Sequence, residues 1–142
     1  MTDLGLNHVA FAVRNLEASI DFYRRYAAMT EIHRRLDAQT SFEVAWLSDF
    51  TRPFIVVLIQ GAGLDDTPLG PFGHLGVGCA SRDQVDALAA NAKAEGILVK
   101  EATDSGPPVG YWALVRDPDG NTLEVAHGQT AACTLEQAEQ LM

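Results

Sequence analysis

The sequence is poor in cysteine, in basic residues and in long apolar runs, and each shortage excludes a class of protein. Cys79 and Cys133 are the only two cysteines, too few and too far apart for a disulfide framework or a cysteine-ligated zinc site. No run approaches the roughly 18 apolar residues of a membrane span, and the start lacks a signal-peptide pattern. The sequence has 10 basic and 19 acidic residues, and this negative net charge argues against nucleic acid or a membrane surface as a partner. We therefore expect a soluble cytoplasmic protein.

The remaining composition is that of a globular domain. Hydrophobic residues make up 47% of the 142 residues, enough for one domain with its own core. Hydrophobic periodicity predicts an α+β order, with helices from Leu16 to about Tyr26, from the Ser81 cap to about Glu95, and in the tail. The segments predicted as strands are, in order, LNHVAFAV, EIHRRL, SFEVAWL, FIVVLIQ, GHLGVGCA, ILVKEAT, YWALVR and NTLEVAH.

Local signals mark the ends of these elements. Asn15 and Ser81 are predicted N-caps, and Gly96 is a predicted C-terminal cap. Thr134 with Gln137 has the spacing of a further capping box. FIVVLIQ is strongly apolar, which predicts a strand buried on both faces.

The chain contains an internal repeat. When NHVAFAV is placed over GHLGVGC, His8 falls on His74, and a predicted N-cap follows seven residues later in both cases. Superposing FIVVLIQG on NTLEVAHG matches Val57 with Glu124. We therefore expect one domain over residues 1–142, built from modules at about 5–61 and 73–128, a linker at 62–72 and a tail at 129–142.

A metal site follows from this repeat if the modules are related by a pseudo-twofold axis. Equivalent positions then converge, which brings His8 and His74 together with Glu124. Two imidazoles and one carboxylate suit a single divalent iron, manganese, nickel, cobalt or zinc ion and leave open positions on it. His127 lies three residues beyond Glu124, so strand alternation places it on the opposite face.

Three motifs resemble the vicinal oxygen chelate superfamily, which includes glyoxalase I, bleomycin-resistance proteins, fosfomycin-resistance enzymes and extradiol dioxygenases. They are LNHVAFAVRNLEASIDFYRR, GHLGVGC and DPDGNTLEVAHG. The resemblance implies two βαβββ modules forming a curved mixed sheet around a metal site, often in a homodimer. It implies metal ligands at His8, His74 and Glu124, and a small-molecule substrate that chelates the metal through adjacent oxygens. It also implies that Glu124 serves as the catalytic base.

Departures from the family patterns leave the activity open. The fourth ligand of the glyoxalase I pattern is Val57 here, while the tyrosine of the extradiol pattern is Leu114. The fosfomycin-resistance pattern expects an arginine after the last strand, and GQTAACTLEQ has none. We expect a glyoxalase-like lyase or isomerase, with a ring-cleaving dioxygenase as the alternative. A non-catalytic protein that sequesters its ligand, as bleomycin-resistance proteins do, is the alternative from another class.

Aromatic residues are predicted to line the pocket. Trp46 and Tyr111 are the expected substrate-binding residues, with Phe72 and Trp112 beside them.

Overall fold

A computed structural model describes residues 6–64, 68, 69, 73–129 and 131–141, and it divides the chain into two compact units, residues 1–68 and 69–142. The expected modules, at about 5–61 and 73–128, fall one in each unit. No helix in these described ranges is long and apolar enough to span a membrane.

The first unit is a four-stranded mixed sheet with one helix. Strands β1 and β4 are parallel, and the other pairs are antiparallel, in the order β1-β4-β3-β2. The elements are β1 (His8–Ala12), α1 (Leu16–Ala27), β2 (Thr30–Leu36), β3 (Glu43–Ser48) and β4 (Ile55–Gln60).

The second unit has the same topology, in the order β5-β8-β7-β6. The elements are β5 (His74–Gly78), α2 (Arg82–Glu95), β6 (Leu98–Asp104), β7 (Tyr111–Arg116), β8 (Thr122–His127) and α3 (Ala131–Leu141). The predicted α+β class and the βαβββ order of both modules are confirmed.

The strand register shows that the two units are built to one plan. Ala10 of β1 pairs with Val57 of β4, and Gly76 of β5 pairs with Glu124 of β8. His8 lies two residues before Ala10 at the start of β1, and His74 lies two residues before Gly76 at the start of β5. Val57 and Glu124 therefore occupy equivalent places, as the repeat predicts.

Side chains satisfy the free N–H groups at the start of α1. The Asn15 side chain accepts a hydrogen bond from Ala18 N at 3.0 Å. Gln60, the last residue of β4, accepts one from Leu16 N at 2.5 Å. The helix is thus tied at its first turn to the end of the strand on which it packs.

The predicted caps of α2 are confirmed, whereas the predicted cap of the tail helix is wrong. Ser81 Oγ accepts from Gln84 N at 3.1 Å, and the Gln84 side chain accepts from Ala80 N at 2.9 Å. Gly96 ends the helix at φ +74°, a conformation that suits glycine. Helix α3 already begins at Ala131, so Thr134 lies inside it and is not its N-cap.

The core of the first unit lies between α1 and one face of the sheet. The β4 residues Val56 and Leu58 are 1% and 0% exposed, whereas the alternate residues of this strand are only half-buried. The expectation that FIVVLIQ is buried on both faces is therefore wrong. Its second apolar face lines a cavity instead.

Candidate metal centre

His74 and Glu124 face each other on one side of the sheet of the second unit. The Nε2 atom of His74 lies 3.9 Å from Oε1 of Glu124, whose side chain is only 13% exposed. Gly76 lies two residues after His74 on β5 and pairs directly with Glu124 of β8. A Cβ at Gly76 would lie 3.6 Å from Oε2 of Glu124. A half-buried carboxylate between apolar strand neighbours is costly without a partner, and this arrangement gives Glu124 a partner with metal-ligand chemistry.

Gln129 fixes the second oxygen of the same carboxylate. Its Nε2 donates to Oε2 of Glu124 at 2.6 Å, which leaves Oε1 directed at His74. The chain turns back at Gly128, whose φ is +79°, and this turn brings Gln129 beside the strand it has just left. Sequence reasoning missed Gln129, because the turn that carries it lies beyond the strand pattern.

His8 occupies the corresponding place in the first unit. Its Nδ1 lies 2.5 Å from the side-chain oxygen of Asn7. An amide oxygen only accepts hydrogen bonds, so Nδ1 is the donor in this contact. A histidine that donates through Nδ1 in this way can bind a metal through Nε2.

His8 also borders a cavity of about 660 Å³ that belongs to the first unit. Trp46 lines this cavity, so the structure brings this expected substrate-binding residue and His8 together. Val57 lines it as well and presents an aliphatic wall at the position equivalent to Glu124. The lining residues are Asn7, His8, Ala10, Ile32, Arg35, Trp46, Ser48, Arg52, Pro53, Phe54, Ile55, Val57 and Ile59.

Tyr111 is not brought to the face of Glu124. It pairs directly with His127 across β7 and β8, and its hydroxyl donates to Asp86 of α2. This hydrogen bond raises the pKa of Tyr111, and the Arg82 guanidinium lies 4.7 Å from the centre of its ring. Tyr111 therefore belongs to the helix side of the sheet, and the expectation that it lines the pocket with Glu124 does not fit this register.

His127 also faces the helix side, as strand alternation predicts. Its Nδ1 donates to the carbonyl oxygen of Cys79 at 3.0 Å. Trp112 pairs with Ala126, two residues from Glu124, and so lies on the Glu124 side of the sheet. Phe72 lies outside the described residues.

The turn before β8 sets the position of Glu124. Asp117 is 3% exposed, and its Oδ1 accepts from Asp119 N at 2.9 Å and from Asn121 N at 2.8 Å. The Asn121 side chain in turn accepts from Leu69 N at 3.0 Å. The DPDGN motif is thus a buried polar anchor, which joins the start of the second unit to its last strand.

The described geometry fits two metal ligands in the second unit. Two donors on one ion, each about 2.1 Å away, can be separated by up to about 4.2 Å, and the 3.9 Å between His74 and Glu124 lies within this limit. Across the described ranges, no group of three histidine, cysteine, aspartate or glutamate side chains lies close enough to hold an ion. His8 belongs to the first unit, and the other two predicted ligands belong to the second.

Comparison with known proteins identifies the family. The family model of the Glyoxalase/Bleomycin resistance protein/Dioxygenase superfamily matches residues 5–125. The chain belongs to this superfamily, which is the vicinal oxygen chelate superfamily that its motifs resemble.

Among curated relatives, an uncharacterized protein of Pseudomonas aeruginosa is 36% identical over 87% of this chain and 89% of its own length. A probable lactoylglutathione lyase of Vibrio cholerae is 27% identical over 96% of this chain and 99% of its own. The lactoylglutathione lyase GLX1 of Arabidopsis thaliana is 31% identical over 83% of this chain. This chain spans only 42% of that plant protein.

Solved structures share the fold. Glyoxalase I of Leishmania major, described as trypanothione-dependent, superposes with a TM-score of 0.70 at 21% identity, over 99% of this chain and 96% of its own. A variant of glyoxalase I of Zea mays gives 0.69 at 26% identity, over 84% of this chain and 43% of its own. A variant of the fosfomycin resistance protein FosX of Listeria monocytogenes, complexed with Mn(II) and a dihydroxypropylphosphonic acid, gives 0.67 at 21% identity, over 94% of this chain and 99% of its own.

Proposed function

We propose that this protein is a metal-dependent enzyme for a small substrate that chelates the metal through adjacent oxygens, and that it acts as a glyoxalase-like lyase or isomerase. His8, His74 and Glu124 hold one divalent transition metal. The observation that carries the proposal is the His74–Glu124 pair, in which two metal-ligand side chains meet on one face at 3.9 Å. The glyoxalase names among the relatives, and the Mn(II) in the FosX complex, support it.

The bound metal supplies Lewis-acid polarisation of the substrate's oxygens. Glu124 alternates between metal ligand and base, and as the base it moves a proton at the substrate carbon next to those oxygens. Gln129 holds one of its carboxylate oxygens and so orients the other. Val57 removes the second carboxylate that the glyoxalase I pattern places opposite Glu124, so a single base has to serve the reaction.

Ring cleavage is the second candidate function. A set of two histidines and one carboxylate is the ligand set that non-haem iron(II) oxygenases use. Leu114 pairs directly with Glu124 and stands where the extradiol pattern has a tyrosine, so this chain lacks the hydroxyl at that position. We therefore place this function second.

Metal analysis of the protein purified without chelators tests the proposal. We expect about one equivalent of transition metal per chain in the wild type and a loss of that metal in His8→Ala and His74→Ala. His127→Ala is the matched control, because His127 binds the Cys79 carbonyl on the opposite face and should leave the metal in place.

The identity of the metal then directs the activity assay. Nickel, zinc or cobalt points to hemithioacetal substrates, and iron points to catechols under oxygen. If the wild type binds no metal even after metal is added back, the proposal of a metal-dependent enzyme is refuted. The alternative of a ligand-sequestering protein is then favoured. Light scattering on the same sample tests the homodimer that we propose on the basis of the family resemblance.

A further inference from the structure

The cavity of the first unit has apolar walls that remain half-exposed. Ile55, Val57 and Ile59 alternate along β4 with buried residues, and all three line the cavity together with Trp46. Apolar side chains left facing an open space mark a place where an apolar molecule binds. The volume of about 660 Å³ falls inside the range of roughly 300–1,000 Å³ that is typical of small-molecule pockets.

Two arginines border this apolar space in a chain whose net charge is −9. Arg35 projects from β2, and its guanidinium carbon lies 5.7 Å from the centre of the Trp46 ring. Its Nε atom is 4.0 Å from the Asp37 carboxylate, the outer limit of an ion pair. That carboxylate already accepts two hydrogen bonds from Thr40. Most of the five N–H donors of Arg35 are therefore left for another anion.

Arg52 lies in the loop between β3 and β4. Strand β4, which follows this loop, pairs with the strand that carries His8. Asp49 is the acidic residue nearest to it along the chain. The Asp49 carboxylate accepts from the Thr51 N–H at 3.0 Å and from the Thr51 hydroxyl at 2.6 Å. Both bonds end on Oδ1, and Arg52 lies close enough to Asp49 to interact with it electrostatically. Arg52 also borders the cavity, so its guanidinium can meet an anionic group there.

We infer that this cavity takes the apolar body of the substrate and that Arg35 and Arg52 bind an anionic group on it. The substrate is then a compact apolar or aromatic organic anion. A glutathione conjugate fits these walls poorly, because it would place peptide N–H and C=O groups against aliphatic side chains without hydrogen-bond partners. The assignment to substrate, rather than to any ligand, rests on the proposed function.

The sheet sets the size of such a molecule. His8 and Arg35 lie on the two edge strands β1 and β2, three strand spacings apart, which is about 14 Å between backbones. The side chains reach inward from both edges and shorten this span. One or two rings carrying an acidic group match it, with the oxygen-bearing end at His8.

Two dyes with the same aromatic skeleton test the inference without knowledge of the substrate. Anilinonaphthalene sulfonate is an apolar anion, and phenylnaphthylamine is its uncharged analogue. Binding of both is titrated by fluorescence to the full-length, chelator-treated protein. The variants are Arg35→Gln, Arg52→Gln, the double variant and Arg35→Lys. The matched control is Arg24→Gln, because Arg24 pairs with Asp21 on the exposed side of α1.

We expect each Arg→Gln change to weaken sulfonate binding about tenfold and the double variant about a hundredfold, since charge-assisted hydrogen bonds to an anion are lost. The uncharged dye should bind all variants within about twofold. Arg35→Lys keeps the charge but loses the planar fork of donors, so it should bind the sulfonate more weakly than wild type and more tightly than Arg35→Gln. Equal losses of both dyes, no loss in the double variant, or no binding of the sulfonate by wild type would each overturn the inference. Circular dichroism checks that every variant is folded.

The dye titration and the metal analysis fail independently. The dyes are read on metal-free protein, so a protein that never binds metal still gives a clear result here. Conversely, a protein that holds its metal while the arginine variants bind both dyes like wild type keeps the proposed function and loses only the anionic substrate.

Discussion

Replacing Asp117 with alanine is predicted to destabilise the fold strongly, although Asp117 is not one of the predicted metal ligands. Its carboxylate is buried at 3% exposure and accepts the backbone N–H groups of Asp119 and Asn121. Alanine would leave both N–H groups buried without an acceptor. Each such group costs about 1–3 kcal/mol, so we expect a loss of about 3 kcal/mol in the free energy of unfolding.

Asp117→Asn separates the lost charge from the lost acceptor. Asparagine keeps one side-chain oxygen at the place of Oδ1, where both backbone N–H groups converge. It gives up the weaker contact at 3.3 Å from the Asn121 side chain to Oδ2. We expect this variant to lose only about 1 kcal/mol.

Thermal and urea unfolding measure the difference. A loss of about 3 kcal/mol corresponds to a fall in Tm of about 10 °C for a domain of this size. The matched control is Asp37→Ala, because Asp37 likewise accepts two hydrogen bonds from Thr40, but at an exposed turn. If Asp117→Ala were no more destabilising than Asp37→Ala, the reasoning from burial would be refuted.

The same control carries a prediction about pH. Hydrogen bonds from the Thr40 hydroxyl and backbone lower the pKa of Asp37, so its stabilisation is present above the unfolded pKa of about 3.9 and is lost as the pH falls through the folded value. The difference in stability between wild type and Asp37→Ala should therefore close in acid. A difference that persists at the lowest pH at which the fold survives would contradict this assignment.

Three further predictions concern the two units. Gln129→Ala should weaken metal binding about tenfold, because Glu124 loses the hydrogen bond that orients it. Isothermal titration measures this, with the exposed Gln137→Ala as control. Gln60→Ala should lower the free energy of unfolding by about 1 kcal/mol, because the first N–H of α1 loses its acceptor. Val57→Glu should lower Tm in chelator, since it buries a carboxylate in the apolar cavity, and added metal should raise its Tm more than that of wild type.

The order of elements could be predicted because local chemistry and periodicity agree with the fold. Asn15 and Ser81 cap their helices, Gly96 ends α2, and the face assigned to His127 by alternation is the face it occupies. The tail helix shows where such signals fail. Thr134 and Gln137 have the spacing of a capping box, yet the helix begins at Ala131, and spacing alone does not say whether a threonine begins a helix or lies within it.

The environment of the site could not be predicted, because it depends on register and on turns. Alternation from Leu114 turns Tyr111 away from Glu124, but it does not show that Tyr111 meets Asp86 of α2. Nor does strand periodicity reveal Gln129, which reaches Glu124 only through the turn at Gly128. The sequence predicts a buried second face for β4, because an apolar residue that lines a cavity and one that lines a core look alike in sequence.

The repeat separates what holds the fold from what performs its chemistry. At the end of the last strand of each unit, Gln60 and His127 each bind backbone on the path from the first strand to the helix. Gln60 accepts from Leu16 N at the start of α1, and His127 donates to the carbonyl oxygen of Cys79 just after β5. Three residues earlier, on the opposite face, Val57 and Glu124 differ completely, one lining an apolar cavity and the other meeting His74. The helix faces of the two units thus carry matching structural anchors, while their open faces have taken different roles.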